Sequence, residues 1–80
     1  MSHQHHGQPQ RVIANRRRDL DRARLRYRRQ AWADAYHAFE LADQVTPLEA
    51  DDLERLAMAA YLTGRDEEYL RTLERACAAH

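Results

Sequence analysis

Leu53-Glu54-Arg55-Leu56-Ala57-Met58-Ala59-Ala60-Tyr61-Leu62-Thr63-Gly64-Arg65-Asp66-Glu67-Glu68-Tyr69-Leu70 is the stretch on which the fold turns. Leu53, Leu56, Ala57, Ala60 and Tyr61 recur at three- and four-residue steps, the period of one helix face. Gly64 is placed to end that helix in a left-handed cap. Asp66 then offers an N-cap, and Glu67 and Glu68 stand near the positive end of a new helix dipole. Tyr69, Leu70, Leu73, Ala76 and Cys77 form the apolar face of this second helix. The stretch reads as a helical hairpin.

Upstream, Thr46-Pro47-Leu48-Glu49 has the pattern of a capping box with proline at the first helical position. It predicts a helix start in which the Thr46 hydroxyl accepts from the Glu49 amide and the Glu49 carboxylate reaches back. Asp51 and Asp52 fit the dipole there. Further back, Leu20, Ala23, Tyr27 and Ala31 form a narrow stripe from about Asn15 onward. Trp32, Ala35, Phe39 and Ala42 form a second, with Tyr36 beside it and Val45 at its end. Gln30-Ala31 stands where a turn glycine is expected. Residues 16–45 are therefore open to two readings, a hairpin turning at 29–31 or one unbroken helix. Met1–Gln10 shows no apolar period. Residues 1–14 are expected to be a disordered His/Gln-rich tail ahead of a helical domain over 15–80.

Sliding the chain against itself until Ala23 meets Ala57 also sets Tyr27 on Tyr61, Gln30 on Gly64, Phe39 on Leu73, Glu40 on Glu74 and Ala42 on Ala76. Small residues such as Ala23, Ala35, Ala42, Ala57 and Ala76 permit close helix approach. Phe39, Leu53, Leu56 and Leu73 fill the gaps. Ala35-x3-Phe39 with Ala42 and Pro47, and Leu53-x2-Leu56-Ala57-x2-Ala60, make the chain resemble the tetratricopeptide-repeat family. The unit of that family is a helical hairpin of about 34 residues, the same spacing. The expected fold is all-α, two such antiparallel hairpins of four helices. Asp51 to Ala57, Ala59 to Glu67 and Leu73 to Ala76 are also similar to the N-terminal helical repeats of bacterial LuxR-type transcriptional regulators, without their DNA-binding part. That resemblance implies a regulatory or adaptor segment binding protein; with no apolar secretion segment in Met1–Gln10 and a lone cysteine, the cytoplasm is the expected location.

The composition agrees with helix. There are two Gly, two Pro and few β-branched residues. No run approaches the roughly 18 apolar residues of a membrane span. Cys77 has no second cysteine with which to form a disulfide or a metal site. Formal net charge is zero, but residues 11–29 hold nine arginines against two aspartates, whereas 30–80 hold four arginines against eleven carboxylates. Such a split suggests a basic interaction surface or electrostatic pairing between copies.

Catalysis requires a nucleophile, a base in reach and a group to stabilise developing charge. Ser2 is the only serine and lysine is absent. No enzyme, cofactor or metal is expected. His3, His5 and His6 lack a fixed frame, a lone His37–Glu40 pair is too little for a metal, and Cys77 reads as a small apolar residue. The resemblance implies a concave groove lined by the first helix of each pair, so Arg17, Arg24, Tyr27 and Arg28 are the candidate partner-binding residues for an acidic peptide. Nucleic acid, contacted by the Arg-rich helix, and a simple structural helical dimer are the alternatives. Leu70, Leu73 and Cys77 remain uncovered in the last helix, a surface suited to self-association.

Overall fold

The computed structural model describes the backbone from Gln8 to Ala79 and the side chains from Arg16 to Ala79. Four helices follow in order: α1 (Gln8–Arg28), α2 (Trp32–Val45), α3 (Ala50–Leu62) and α4 (Asp66–Ala79). They form two antiparallel hairpins, α1–α2 and α3–α4, which meet mainly through α2 and α3. Among the described residues there is no strand. Among them, too, no helix is long and apolar enough to cross a membrane. The backbone is already helical at Gln8, ahead of the expected start near Asn15. Met1–Gly7, with the three tail histidines, lies outside the described residues.

The chain turns at Gln30, as the hairpin reading requires. Gln30 takes the left-handed region at φ 64°, and Gly64 does so at φ 80°. The amide of Gln30 donates to Tyr27 O, that of Ala31 to Arg26 O, and that of Ala35 to Ala31 O. One repeat later the amides of Gly64, Arg65 and Tyr69 donate to Tyr61 O, Ala60 O and Arg65 O, the same three bonds. Each turn is a Schellman closure, which satisfies the last carbonyls of the first helix while reversing the chain. Helix bounds keep the same shift: α2 over 32–45 maps onto α4 over 66–79, and α1 ends at Arg28 as α3 ends at Leu62. The period seen in side chains is therefore a period of the backbone. A non-glycine residue in the left-handed region costs roughly 1–2 kcal/mol, and the first turn bears that cost at Gln30.

Two local expectations need correction. No capping box forms: α3 starts at Ala50, and its cap residue Glu49 makes no side-chain bond to the helix. Leu48 is instead drawn into the core, and its amide donates to Asp43 Oδ1 at 3.0 Å. A backbone anchored to α2 in this way cannot also start a helix at Pro47. Asp66 is the first residue of α4 rather than its cap, since Tyr69 N donates to the carbonyl of Arg65.

Phe39 is fully enclosed and is the largest such side chain. Around it lie Ala23, Ala35, Tyr36, Ala42, Leu48, Leu53, Leu56, Ala59, Ala60 and Ala76. Tyr27 sets its ring edge-on to Trp32, with centroids 5.2 Å apart, and to Phe39 at 6.5 Å. Tyr61, expected on the buried face, is 55% exposed. Its register explains this. The counterparts of Trp32 and Phe39 are Asp66 and Leu73, and the ring that meets Tyr61 is that of Tyr69, 5.1 Å away.

Candidate functional site

Two clusters of charge tie the hairpins together and decide which arginines remain for a partner. Arg24 on α1 donates through Nε to Asp52 Oδ1 at 3.0 Å and through an Nη to Oδ2 at 2.6 Å. Arg55, one turn along α3 from Asp52, donates to the same Oδ1 at 2.9 Å. Asp52 is 3% exposed. Burial works against its charge, but hydrogen bonds and attraction from Arg24, then Arg55, outweigh that and hold its carboxyl below the usual carboxylate range. In the second cluster Asp43 on α2 accepts both Nη groups of Arg75 on α4, at 2.9 and 2.8 Å. Arg75, helped by the Leu48 amide and opposed by burial, holds the Asp43 carboxyl low as well. Arg16 donates to the carbonyls of Ala42 at 3.0 Å and Pro47 at 3.4 Å, placing a cation at the negative end of α2.

Sequence reasoning did not single out Asp52 as a link between hairpins, although a signal existed. Asp52 sits four residues before Leu56 and eight before Ala60, on the apolar side of α3. A carboxylate on such a stripe needs an inward-facing cation.

The four residues expected in one groove are not brought together. Arg24 is committed to Asp52. Tyr27 borders a shallow depression with Asp51, Glu54, Arg55 and Met58, whose two carboxylates outnumber its one arginine. Arg17 lies ten residues earlier, about 15 Å along the helix at 1.5 Å per residue. It borders a different surface with Arg18, Asp21, Arg22 and Leu25. Arg28 is exposed near the end of α1.

A better-formed concavity runs between α1 and α2 on the face turned away from α3. Asp19, Arg22 and Arg26 form its α1 wall, and Ala38, Leu41 and Val45 line the α2 side. Asp34 and His37 extend it toward the start of α2. Leu41 is 64% exposed, yet it stands in the middle of this trough. At the opposite end of the molecule, α4 leaves Leu70 60% exposed, Cys77 exposed and Leu73 half-buried.

His37 and Glu40 do not act as a pair. Glu40 accepts the Tyr36 hydroxyl at 3.1 Å, and the His37 ring rests edge-on against Tyr36. The Tyr36 hydroxyl is pushed up, first by burial and then by Glu40. Among the described residues no group of three or more histidine, cysteine or acidic side chains is arranged to hold a metal ion. No protein-family model, curated protein or solved structure matches the chain.

Proposed function

We propose that this chain is a non-catalytic protein-binding segment of two tetratricopeptide-like hairpins, related to the helical repeats of LuxR-type regulators and serving as an adaptor or regulatory piece. The observation that carries this reading is the repeat register shared by helix bounds and turn hydrogen bonds. Units of this kind bury their faces on neighbouring helices, so an exposed face of a hairpin is a place for another helix. The trough between α1 and α2 suits that purpose. Arg22 and Arg26 offer charge to acidic groups, and Leu41 and Val45 offer apolar contact. An amphipathic helix with acidic flanks is the ligand of matching chemistry.

One observation favours a second reading. Arg17, Arg18, Arg22, Arg26, Arg28 and Arg29 are all exposed, and phosphates could engage them. Arg18, Arg22, Arg26 and Arg29 share one side of α1 at three- and four-residue steps, yet Arg22 and Arg26 flank the exposed Leu41 and Val45, apolar surface that a phosphate backbone would leave uncovered. Fluorescence anisotropy separates the two. A labelled synthetic amphipathic helix of Leu and Glu should bind the protein and lose affinity on Leu41→Glu. A labelled DNA duplex should bind weakly or not at all. Duplex binding that falls steeply with salt, with no response to the peptide, would overturn the protein-binding reading.

A further inference from the structure

We propose that the trough between α1 and α2 receives helix α4 of a second copy of this chain, so that copies stack head to tail. This rests on the reading of the trough as a helix-binding surface and names its occupant.

The repeat register, in which Ala23 falls on Ala57, supplies the geometry. Arg22 and Arg26 then become Leu56 and Ala60, while Ala38 and Ala42 become Thr72 and Ala76. All four counterparts are buried. Leu41 becomes Arg75, which grips Asp43 of α2. The second hairpin meets α2 through α3 and through the Arg75–Asp43 pair, and the first hairpin presents the same backbone with nothing among the described residues seated on it. In that register α4 is the counterpart of α2. Leu70 takes the place of Tyr36, which is buried against the second hairpin beneath the Arg65 guanidinium, 4.3 Å from the ring centroid. Cys77 takes the place of Asp43. The ion pair that joins hairpins within the chain becomes, between copies, an apolar contact of Cys77 with Leu41. Both the groove and the helix it would accept therefore exist in one chain, and both are exposed.

Charge favours this pairing over the two-fold alternative. From Arg16 onward α1 carries seven arginines against Asp19 and Asp21. Helix α4 carries Asp66, Glu67, Glu68 and Glu74 against Arg71 and Arg75, the latter already engaged with Asp43. Docking α4 on the trough sets its carboxylates beside Arg22 and Arg26 on α1, with Asp19 and Asp34 at the margins, whereas docking α4 on another α4 brings carboxylates mainly onto carboxylates. The arginines at the Leu56 and Ala60 positions can lay their stems along Leu70 and keep their guanidinium groups in water. Such a junction is loose and sensitive to salt. Because the two surfaces differ, each copy keeps one free end and the assembly does not close after two copies.

Sedimentation of the full chain over a range of concentrations tests this, with Leu41→Glu blocking the trough and Leu70→Glu blocking α4. Both side chains are exposed, so both variants should keep the helical circular dichroism of the parent. Val45→Glu and Cys77→Glu serve as second variants on each face. The parent should grow in mass with concentration, with no fixed stoichiometry. Each variant alone should stay monomeric where the parent associates, and a mixture of the two should form a one-to-one heterodimer. Raising salt from about 0.05 to about 0.5 M, well past effective screening, should weaken that heterodimer at least tenfold. A closed dimer that survives Leu41→Glu, with no heterodimer in the mixture, overturns the proposal. So does a parent that remains monomeric throughout. If the synthetic Leu–Glu helix still binds in that last case, the trough remains a protein-binding surface and only the second copy is removed as its occupant.

Discussion

Replacing Asp52 by Asn should cost about 2 kcal/mol, a large share of this domain's stability. The carboxylate takes two hydrogen bonds from Arg24 and one from Arg55. Bonds to charged groups contribute about 1.5–3 kcal/mol each when buried. Both arginine side chains are 38% exposed, so water recovers part of what they lose. Asparagine keeps the shape and one acceptor but turns an amide donor toward a guanidinium, which has only donors. About 2 kcal/mol is the balance, against the roughly 3–5 kcal/mol that a core of this size supplies. For a domain of this length each kcal/mol moves the melting temperature by about 4–8 °C, so Asp52→Asn should melt about 8–16 °C lower. The pH dependence supplies an independent check. Because the folded carboxyl titrates below its unfolded value of about 3.9, its stabilisation is complete above that value and fades as pH falls through it toward the folded one. Thermal melts by circular dichroism should therefore show a wide gap between parent and variant near about pH 7 and a smaller one near about pH 3. A variant melting within about 2 °C of the parent near neutrality, or a gap that does not shrink in acid, would refute the reasoning.

The turns give a matched pair of changes. Gln30→Gly should stabilise by about 1 kcal/mol by removing a side chain from the left-handed region, while Gly64→Ala should destabilise by a similar amount. A Cβ at Gly64 meets no atom within 4 Å, so that effect belongs to the backbone alone, and urea titrations of both variants read it. Phe39→Ala should cost about 3–5 kcal/mol and leave the chain largely unfolded by circular dichroism at room temperature. Arg75→Met should cost less than Arg24→Met in the same melts. Asp43, left without Arg75, keeps the Leu48 amide and some access to water, whereas Asp52, left without Arg24, stays buried with Arg55 alone.

Much of this architecture is legible because helix patterning and turn chemistry are local. Gly64 and the Ala57–Ala60 spacing mark one hairpin outright, and the repeat shift carries that mark to Gln30, where composition alone permits an uninterrupted helix. What could not be read depends on partners distant in sequence. Thr46-Pro47-Leu48-Glu49 satisfies the local rule for a helix start. Burial of Leu48 and the bond of its amide to Asp43 override it. Arg24 looks like one of many surface arginines until Asp52, 28 positions away, is seen to hold it. The groove expected at Arg17, Arg24, Tyr27 and Arg28 assumed that arginines on one side of α1 are available together, and the first demand on Arg24 was structural.

The charge split along the chain acquires a physical meaning from the same register. Hairpins sharing one backbone can differ only in side chains, and they differ most where a neighbouring helix would sit. Leu53, Leu56 and Ala60 on α3 are buried; their counterparts on α1 are Asp19, Arg22 and Arg26. A face written in leucine and alanine must stay covered, since exposing it costs about 25 cal/mol for each Å² of apolar surface. A face written in arginine and aspartate can stand in water and still accept a helix whose outer residues are acidic. The first hairpin therefore tolerates being either an end or a junction, whereas α4, with Leu70 and Cys77 outward, is better suited to being covered. This asymmetry, rather than net charge, is what would set the direction of stacking.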